Sequence, residues 1–199
     1  MRRITLISLV SLSCLTVVLV AVSLAAETPV PVLAVGDPAP AFNANTDAGD
    51  LWQSTDHVGK AKFLVVYFYP AAMTGGCTQQ ACSYRDQRAE LAQLDAEVIG
   101  VSADPVNNLK FFKQAHNLSL PLLSDVNATI ARRFGVPVRE GGTFTSSVNG
   151  KEATLKRPYT FGRWTFVIGK DGKVLHKDTR VNASADSGNI VEFLQSARR

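Results

Sequence analysis

The sequence predicts an α/β fold with a mixed central β-sheet flanked by helices. Lys62 to Tyr69 (KFLVVYFY) is a continuous apolar run rich in β-branched and aromatic residues, the pattern of a strand buried on both faces. Short apolar strands then alternate with helix-forming segments through the middle of the chain. A hairpin signal followed by an amphipathic helix closes it.

Taken in order, the chain begins with Arg2 and Arg3, then an uncharged stretch from Ile4 to Ala26. A basic region, an apolar region and a small-residue exit make residues 1–26 a secretory signal, with Ser23 and Ala25 suiting cleavage after Ala25 and Ala26 nearly as good. An uncleaved membrane anchor is the alternative, since the stretch is long enough to span a bilayer. Residues 27–199 then make one domain. Val35 to Phe42 is a Pro-rich, turn-like leading segment. After the Lys62–Tyr69 strand, Pro70 ends the run, and Thr78 to Leu94 reads as one helix with Leu91 and Leu94 on one face. Glu97 to Ser102 is a second buried strand. Asp104-Pro105 reads as a cap and first position of a helix reaching His116. Leu120 to Ser124 is a short strand and Asn127 to Phe134 a short helix capped by Asn127. Val138 to Tyr159 is an excursion, read as a hairpin turning at Asn149-Gly150. Trp164 to Ile168 and Val174 to Lys177 flank Lys170-Asp171-Gly172 as a second hairpin. Ile190, Val191, Phe193, Leu194 and Ala197 mark the closing helix. Thioredoxin-like architecture fits this order, as do other α/β folds.

Charge and cysteine content narrow the function. With the leader gone, the 21 basic residues become 19 against 17 acidic ones, too even a balance for nucleic acid as the main partner. Removing Cys14 leaves Cys77 and Cys82. A pair this close in a large exported domain is either a local staple or a chemical pair. His57, His116 and His176 are dispersed without ligand spacing, so no metal is expected, and no cofactor motif is present. Three sequons begin at Asn117, Asn127 and Asn182; Asn127 and Asn182 read better as helix caps.

The chemistry concentrates in Tyr67 to Asp86, YFYPAAMTGGCTQQACSYRD. Cys77 falls where the next helix opens, and first-turn amides with the helix dipole favour an anion there. The thiolate is the nucleophile. Thr74 offers a hydroxyl to the same pocket, and Gly75 and Gly76 allow close backbone approach. A desolvated thiolate needs a cation. Arg163, just before WTFVI, is the candidate, while Arg85 and Arg88 lie further along the helix and are expected to be exposed.

The spacing Pro70, Thr74, Cys77 resembles the PxxxTxxC signature of peroxiredoxins, and GRWTFVIGKDGKV resembles that family's later arginine segment. A second cysteine at Cys82 is similar to the bacterioferritin comigratory protein (PrxQ) subfamily, of the atypical 2-Cys type. The resemblance runs from GDPAPAF to the closing helix. It implies a thioredoxin-like fold and a thiol peroxidase in which hydroperoxide oxidises Cys77 to sulfenic acid. Thr74 and Arg163 would orient and polarise the peroxide, assisted by the amides of Gly76 and Cys77, with Pro70 shielding the sulfur. Cys82 would resolve the sulfenic acid as an intramolecular Cys77–Cys82 disulfide. A thioredoxin-like dithiol donor would then reduce it, with the chain acting as a monomer or weak dimer. Export implies the bacterial periplasm, with a membrane-anchored form facing it as the alternative.

Departures from the pattern are Gly75-Gly76 where Pro-Gly is frequent, Gln80 where a glutamate is common, and Trp164 where a small hydroxyl residue is usual. The change at Gln80 implies loss of a carboxylate that would help position Arg163. Two rivals of other classes stand beside the peroxidase. A thioredoxin-like disulfide oxidoreductase would use Cys-x-x-Cys, which the chain lacks. A non-catalytic binding module would have lost Thr74, Cys77 or the arginine, and all are present.

Overall fold

The computed structural model describes residues 33–148 and 150–198; the segment 1–26 expected to be a leader, Cys14 and Asn149 lie outside them. In chain order the elements are β1 (Asn43–Thr46), β2 (Leu51–Gln53), β3 (Phe63–Phe68), α1 (Gly75–Asp86), α2 (Arg88–Gln93), β4 (Ala96–Ser102) and α3 (Val106–His116). There follow β5 (Leu122–Ser124), α4 (Thr129–Arg133), β6 (Val138–Val148), β7 (Lys151–Phe161), β8 (Trp164–Gly169), β9 (Val174–Asp178) and α5 (Asp186–Ala197). Seven strands make one sheet in the order β2-β1-β5-β4-β3-β8-β9, while β6 and β7 pair only with each other. β3 runs parallel to β4, and β4 to β5; the pairs β1–β5, β3–β8 and β8–β9 are antiparallel. The sheet is mixed and carries helices on both faces, the thioredoxin-like arrangement expected from the sequence.

The uninterrupted apolar run of β3 follows from its place near the middle of that sheet, where all six residues are buried. Alternate side chains serve two cores. Phe63, Val65 and Tyr67 pack with residues of α1, α2, α3 and α5, whereas Leu64, Val66 and Phe68 pack with Ile130, Ala131 and Phe134 around α4. Tyr67 is fully buried and stacks on Tyr84 of α1 at 4.8 Å between ring centroids. That contact seats α1 on the sheet.

Several expectations are corrected. The single helix over 78–94 is two, broken at Gln87 (φ −90°, ψ 8°), and the break re-aims α2 so that Leu91 and Leu94 enter the same core as Tyr84. Asp104 does not cap α3: Pro105 occupies the cap position, and the Asp104 carboxylate turns inward. Asn127 does not cap α4, because the Asp125 carboxylate accepts from the amides of Thr129 and Ala131 at 2.8 and 2.9 Å. Asn182 accepts from the amide and hydroxyl of Ser184 in a turn ahead of α5, so it shapes the approach rather than capping. The edge hairpin β1–β2 has no counterpart in the sequence reading. The excursion is a ribbon of two long strands whose Val148↔Lys151 pairing puts the reversal at the expected place.

Gly100 of β4 pairs with Tyr67, and a Cβ there would meet the Tyr67 ring and hydroxyl at 2.6 Å. Gly100→Ala is therefore expected to destabilise the fold by about 1–3 kcal/mol, the usual penalty of overpacking. Urea unfolding with an unchanged m-value and a lower midpoint is the expected result.

Candidate active site

The loop joining β3 to α1 is held in an unusual shape. Met73, buried to 8 % exposure, has φ 69°, a left-handed conformation that costs a non-glycine residue about 1–3 kcal/mol. Ala72 beside it is clamped on both sides of its backbone. Its amide donates to Asp104 Oδ2 at 2.8 Å, and its carbonyl accepts from Arg157 Nη2 at 3.3 Å. Arg157 Nε donates to Asp104 Oδ1 at 2.7 Å, and Ser102 and Asn108 supply further donors to that carboxylate. Both charged side chains are almost wholly excluded from water, 4 % exposed for Arg157 and none of Asp104. Such a pair is tolerable only because it is fully hydrogen-bonded. Arg157 belongs to β7, so the ribbon of the excursion reaches back to brace the loop.

Beyond the loop, Thr74 takes the cap position of α1 (φ −81°, ψ 148°) without capping it by its side chain. Its hydroxyl donates to the Ala71 carbonyl at 2.9 Å, which leaves the oxygen's lone pairs to accept from an incoming O–H. The helix starts at Gly75, earlier than expected, so Cys77 is the third residue of its first turn. The amides of this turn have no carbonyl partner within the helix and direct their positive ends toward its start. A Cβ at Gly75 would meet nothing within 4 Å, so the absence of proline there removes stiffness and no contact. A Cβ on Gly76 would stand 3.3 Å from Arg163 Nη2. Any side chain there would press on the guanidinium, which would have to give by a few tenths of an ångström.

Arg163 reaches the site by strand register. Phe68 of β3 faces Trp164 of β8, which puts Arg163 just past the end of β3, on the side where α1 begins. Its Nη2 donates to the Cys77 sulfur at 3.4 Å, and Cys77 is 1 % exposed. A guanidinium at this distance can pair with an anionic sulfur or with a peroxide oxygen. The other end of the fork, Nη1, donates to Gln80 Oε1 at 2.5 Å. The amide of Gln80 thus does the positioning whose loss was expected from the missing carboxylate. A carboxylate is present all the same, one step removed: Gln80 Nε2 donates to Asp186 Oδ2 at 2.7 Å.

Pro70 is half-buried just past β3. Cys82 is half-buried on the same α1, packed at the margin of the core, and both cysteines are free thiols. Arg85 is half-buried rather than exposed and donates to the His116 carbonyl, while Arg88 is exposed; neither serves Cys77. His57 pairs with Glu97, and His116 and His176 pack against Phe112 and Phe193. Sequence reasoning missed Asp104, Arg157 and Asp186. Arg157 and Asp186 have other charged residues nearby in sequence, Asp104 reads as a helix cap, and only burial reveals what each does.

Residues 35–177 match the AhpC/TSA family. The chain is 34% identical to a protein of Bacillus subtilis named peroxiredoxin Bcp, over 82% of this chain and 94% of the relative. It is 35% identical to peroxiredoxin Bcp of Escherichia coli, over 72% and 84%. Among solved structures, peroxidoxin BcpB of Mycobacterium tuberculosis superposes with a TM-score of 0.69 at 32% identity, covering 84% of this chain and 99% of that one. Peroxiredoxin Q of Xanthomonas campestris, at 24% identity and a TM-score of 0.67, shares the fold.

The brace can be tested directly. Arg157→Ala leaves the Asp104 charge buried without its partner, and the expected loss is about 3–5 kcal/mol of unfolding free energy. Hydrogen exchange at the Ala72 and Met73 amides is expected to accelerate more than exchange in β3. Equal acceleration in both would mean that the pair supports the whole fold and not the loop.

Proposed function

The chain belongs to the AhpC/TSA family and is a peroxiredoxin, and on that premise we propose that it reduces hydrogen peroxide and organic hydroperoxides through Cys77. The observation that carries this reading is the 3.4 Å contact of Arg163 with a buried cysteine sulfur in the first turn of a helix. The thiolate attacks one peroxide oxygen, an S–O bond forms, and the O–O bond breaks. The departing oxygen leaves as water or an alcohol after taking a proton, and Cys77 becomes sulfenic acid. Arg163 and the first-turn amides stabilise the charge that moves onto the leaving oxygen. Thr74 accepts the hydroperoxide's O–H and fixes which oxygen faces the sulfur. Pro70, at the mouth of the loop, limits water.

Cys82 then attacks the Cys77 sulfenic acid, expelling water and forming an intramolecular disulfide. A thioredoxin-like dithiol donor reduces that disulfide by exchange. The leader at residues 1–26 supports an exported enzyme, periplasmic or anchored facing that compartment, with its reductant on the same side. We take the working unit to be a monomer or weak dimer.

Helix geometry constrains the second step. On intact α1 the two cysteines are five steps of 100° apart, or 140° around the axis, and about 7.5 Å along it. A disulfide requires Cα atoms within about 6.8 Å and facing Cβ vectors. Resolution therefore requires α1 to unwind between Cys77 and Cys82.

Cys77→Ser is expected to abolish reaction with peroxide. Cys82→Ser is expected to allow one oxidation per chain and then stall or overoxidise, read by stopped-flow and mass spectrometry. Sustained turnover of Cys82→Ser with a dithiol protein as reductant would move resolution elsewhere. Amides from Thr78 to Ser83 are expected to exchange faster in the disulfide form than in the reduced form; equal protection would contradict unwinding.

A further inference from the structure

The first turn of α5 is docked on α1. Asp186 is 2 % exposed and gathers three donors on one oxygen: Gln80 Nε2 at 2.7 Å, the Tyr84 hydroxyl at 2.8 Å and the Thr165 hydroxyl at 2.9 Å. Next to it the hydroxyls of Ser83 and Ser187 are hydrogen-bonded. The peroxidase step as described makes no use of Asp186, yet a chain of three hydrogen bonds runs from it through Gln80 and Arg163 to the sulfur.

We infer that Asp186 is a positioning residue for Cys77: it fixes the orientation of the Gln80 amide and through it holds Arg163 against the sulfur. The inference rests on the peroxidase reading for its purpose, though not for its geometry. Gln80 is fully buried between a donor-only guanidinium and an acceptor-only carboxylate. One orientation gives two hydrogen bonds; the flipped one faces N–H against N–H and oxygen against oxygen. The guanidinium opposes the flip from one side and the carboxylate from the other. A neutral amide at 186 would weaken the discrimination, because it can donate to a flipped Gln80 and leave only the guanidinium to oppose the flip.

The energetics of Asp186 point away from a purely structural role. Burial raises its pKa, and the donors from Gln80, Tyr84 and Thr165 only partly pull it back. Asp178 adds to the rise, and Tyr67 is a further titratable group close by. A carboxyl whose folded pKa exceeds its unfolded one costs stability as pH rises past the unfolded value, and the loss is complete above the folded value. In its ionised form this carboxylate is therefore held at a cost relative to the protonated one. Orientation of Gln80 is what that cost secures.

The test uses three variants of the full chain in a Cys82→Ser background: Asp186→Asn, Gln80→Glu and the two combined. Asp186→Asn is expected to melt no lower than its parent at neutral pH. Its reaction with hydrogen peroxide is expected to fall about tenfold, the worth of one lost hydrogen bond, and the pH midpoint of Cys77 alkylation by iodoacetamide to move up. Gln80→Glu sets two carboxylates face to face and is expected to be impaired as well. In the combined variant the amide at 186 donates to the new carboxylate, which accepts from Arg163, and both readouts are expected to return toward the parent. An unchanged alkylation midpoint in Asp186→Asn, or a combined variant no better than the worse single one, overturns the inference. Absence of any peroxide reaction in the parent, with the alkylation pattern as expected, would instead refute the peroxidase reading and leave the positioning role standing.

Discussion

A sulfur that must carry negative charge while almost none of it meets water needs its solvation from fixed groups. In this protein those groups are the amides of the first turn of α1 and the guanidinium of Arg163, 3.4 Å away. Neither is useful if it drifts, since charge stabilisation in a dry site depends on dipoles already in place. Much of the surrounding structure can be read as answering that requirement. Tyr67 and Tyr84 seat the helix on the sheet, the β3–β8 register delivers Arg163 to the helix start, and Gln80 holds the far end of the guanidinium. Asp104 and Arg157 hold the loop that sets where the helix begins.

In the proposed cycle, with Cys82 as the resolving partner, the same site must also let go. Peroxide attack favours the ordered first turn, whereas closing a bond between Cys77 and Cys82 demands its loss. The strained Met73, with φ 69°, sits beside the segment that has to move. Strain there lowers the work of leaving the ordered state, and the clamp on Ala72 raises it. In that cycle the balance between the two would set how long the oxidised sulfur waits for Cys82, and so how exposed it is to a second peroxide.

How far the sequence revealed this depends on the reach of each interaction. β3, β4, β8 and β9 were legible because burial on a sheet imprints a local pattern of apolar residues, and the ribbon because Asn149-Gly150 is a strong turn signal. β1 was not, since NANT, one strand in from the edge, pairs through its backbone and carries no apolar pattern. Cys77, Thr74 and Arg163 stood out by spacing and by the resemblance it supported. Asp186 did not, because its meaning lies in contact with residues about a hundred positions away: 106 for Gln80 and 102 for Tyr84. Asp104 misled for a related reason. Aspartate before proline is a reasonable cap, and only the approach of Arg157, 53 positions on, turns it inward. Gln80 misled through analogy, since the position of the carboxylate was expected to matter more than its connection.

The ion pair between Asp104 and Arg157 also restricts how such a protein can diverge. Either charge lost alone strands the other in the interior, so lineages can cross that gap only by exchanging both nearly together or by passing through a weakened intermediate. The ribbon is tied to the same restriction at its base and freed from it beyond. Its outer part can lengthen, shorten or change composition without reaching the loop. Descendants should therefore differ freely in the far half of β6 and β7 while position 157 changes only in step with position 104.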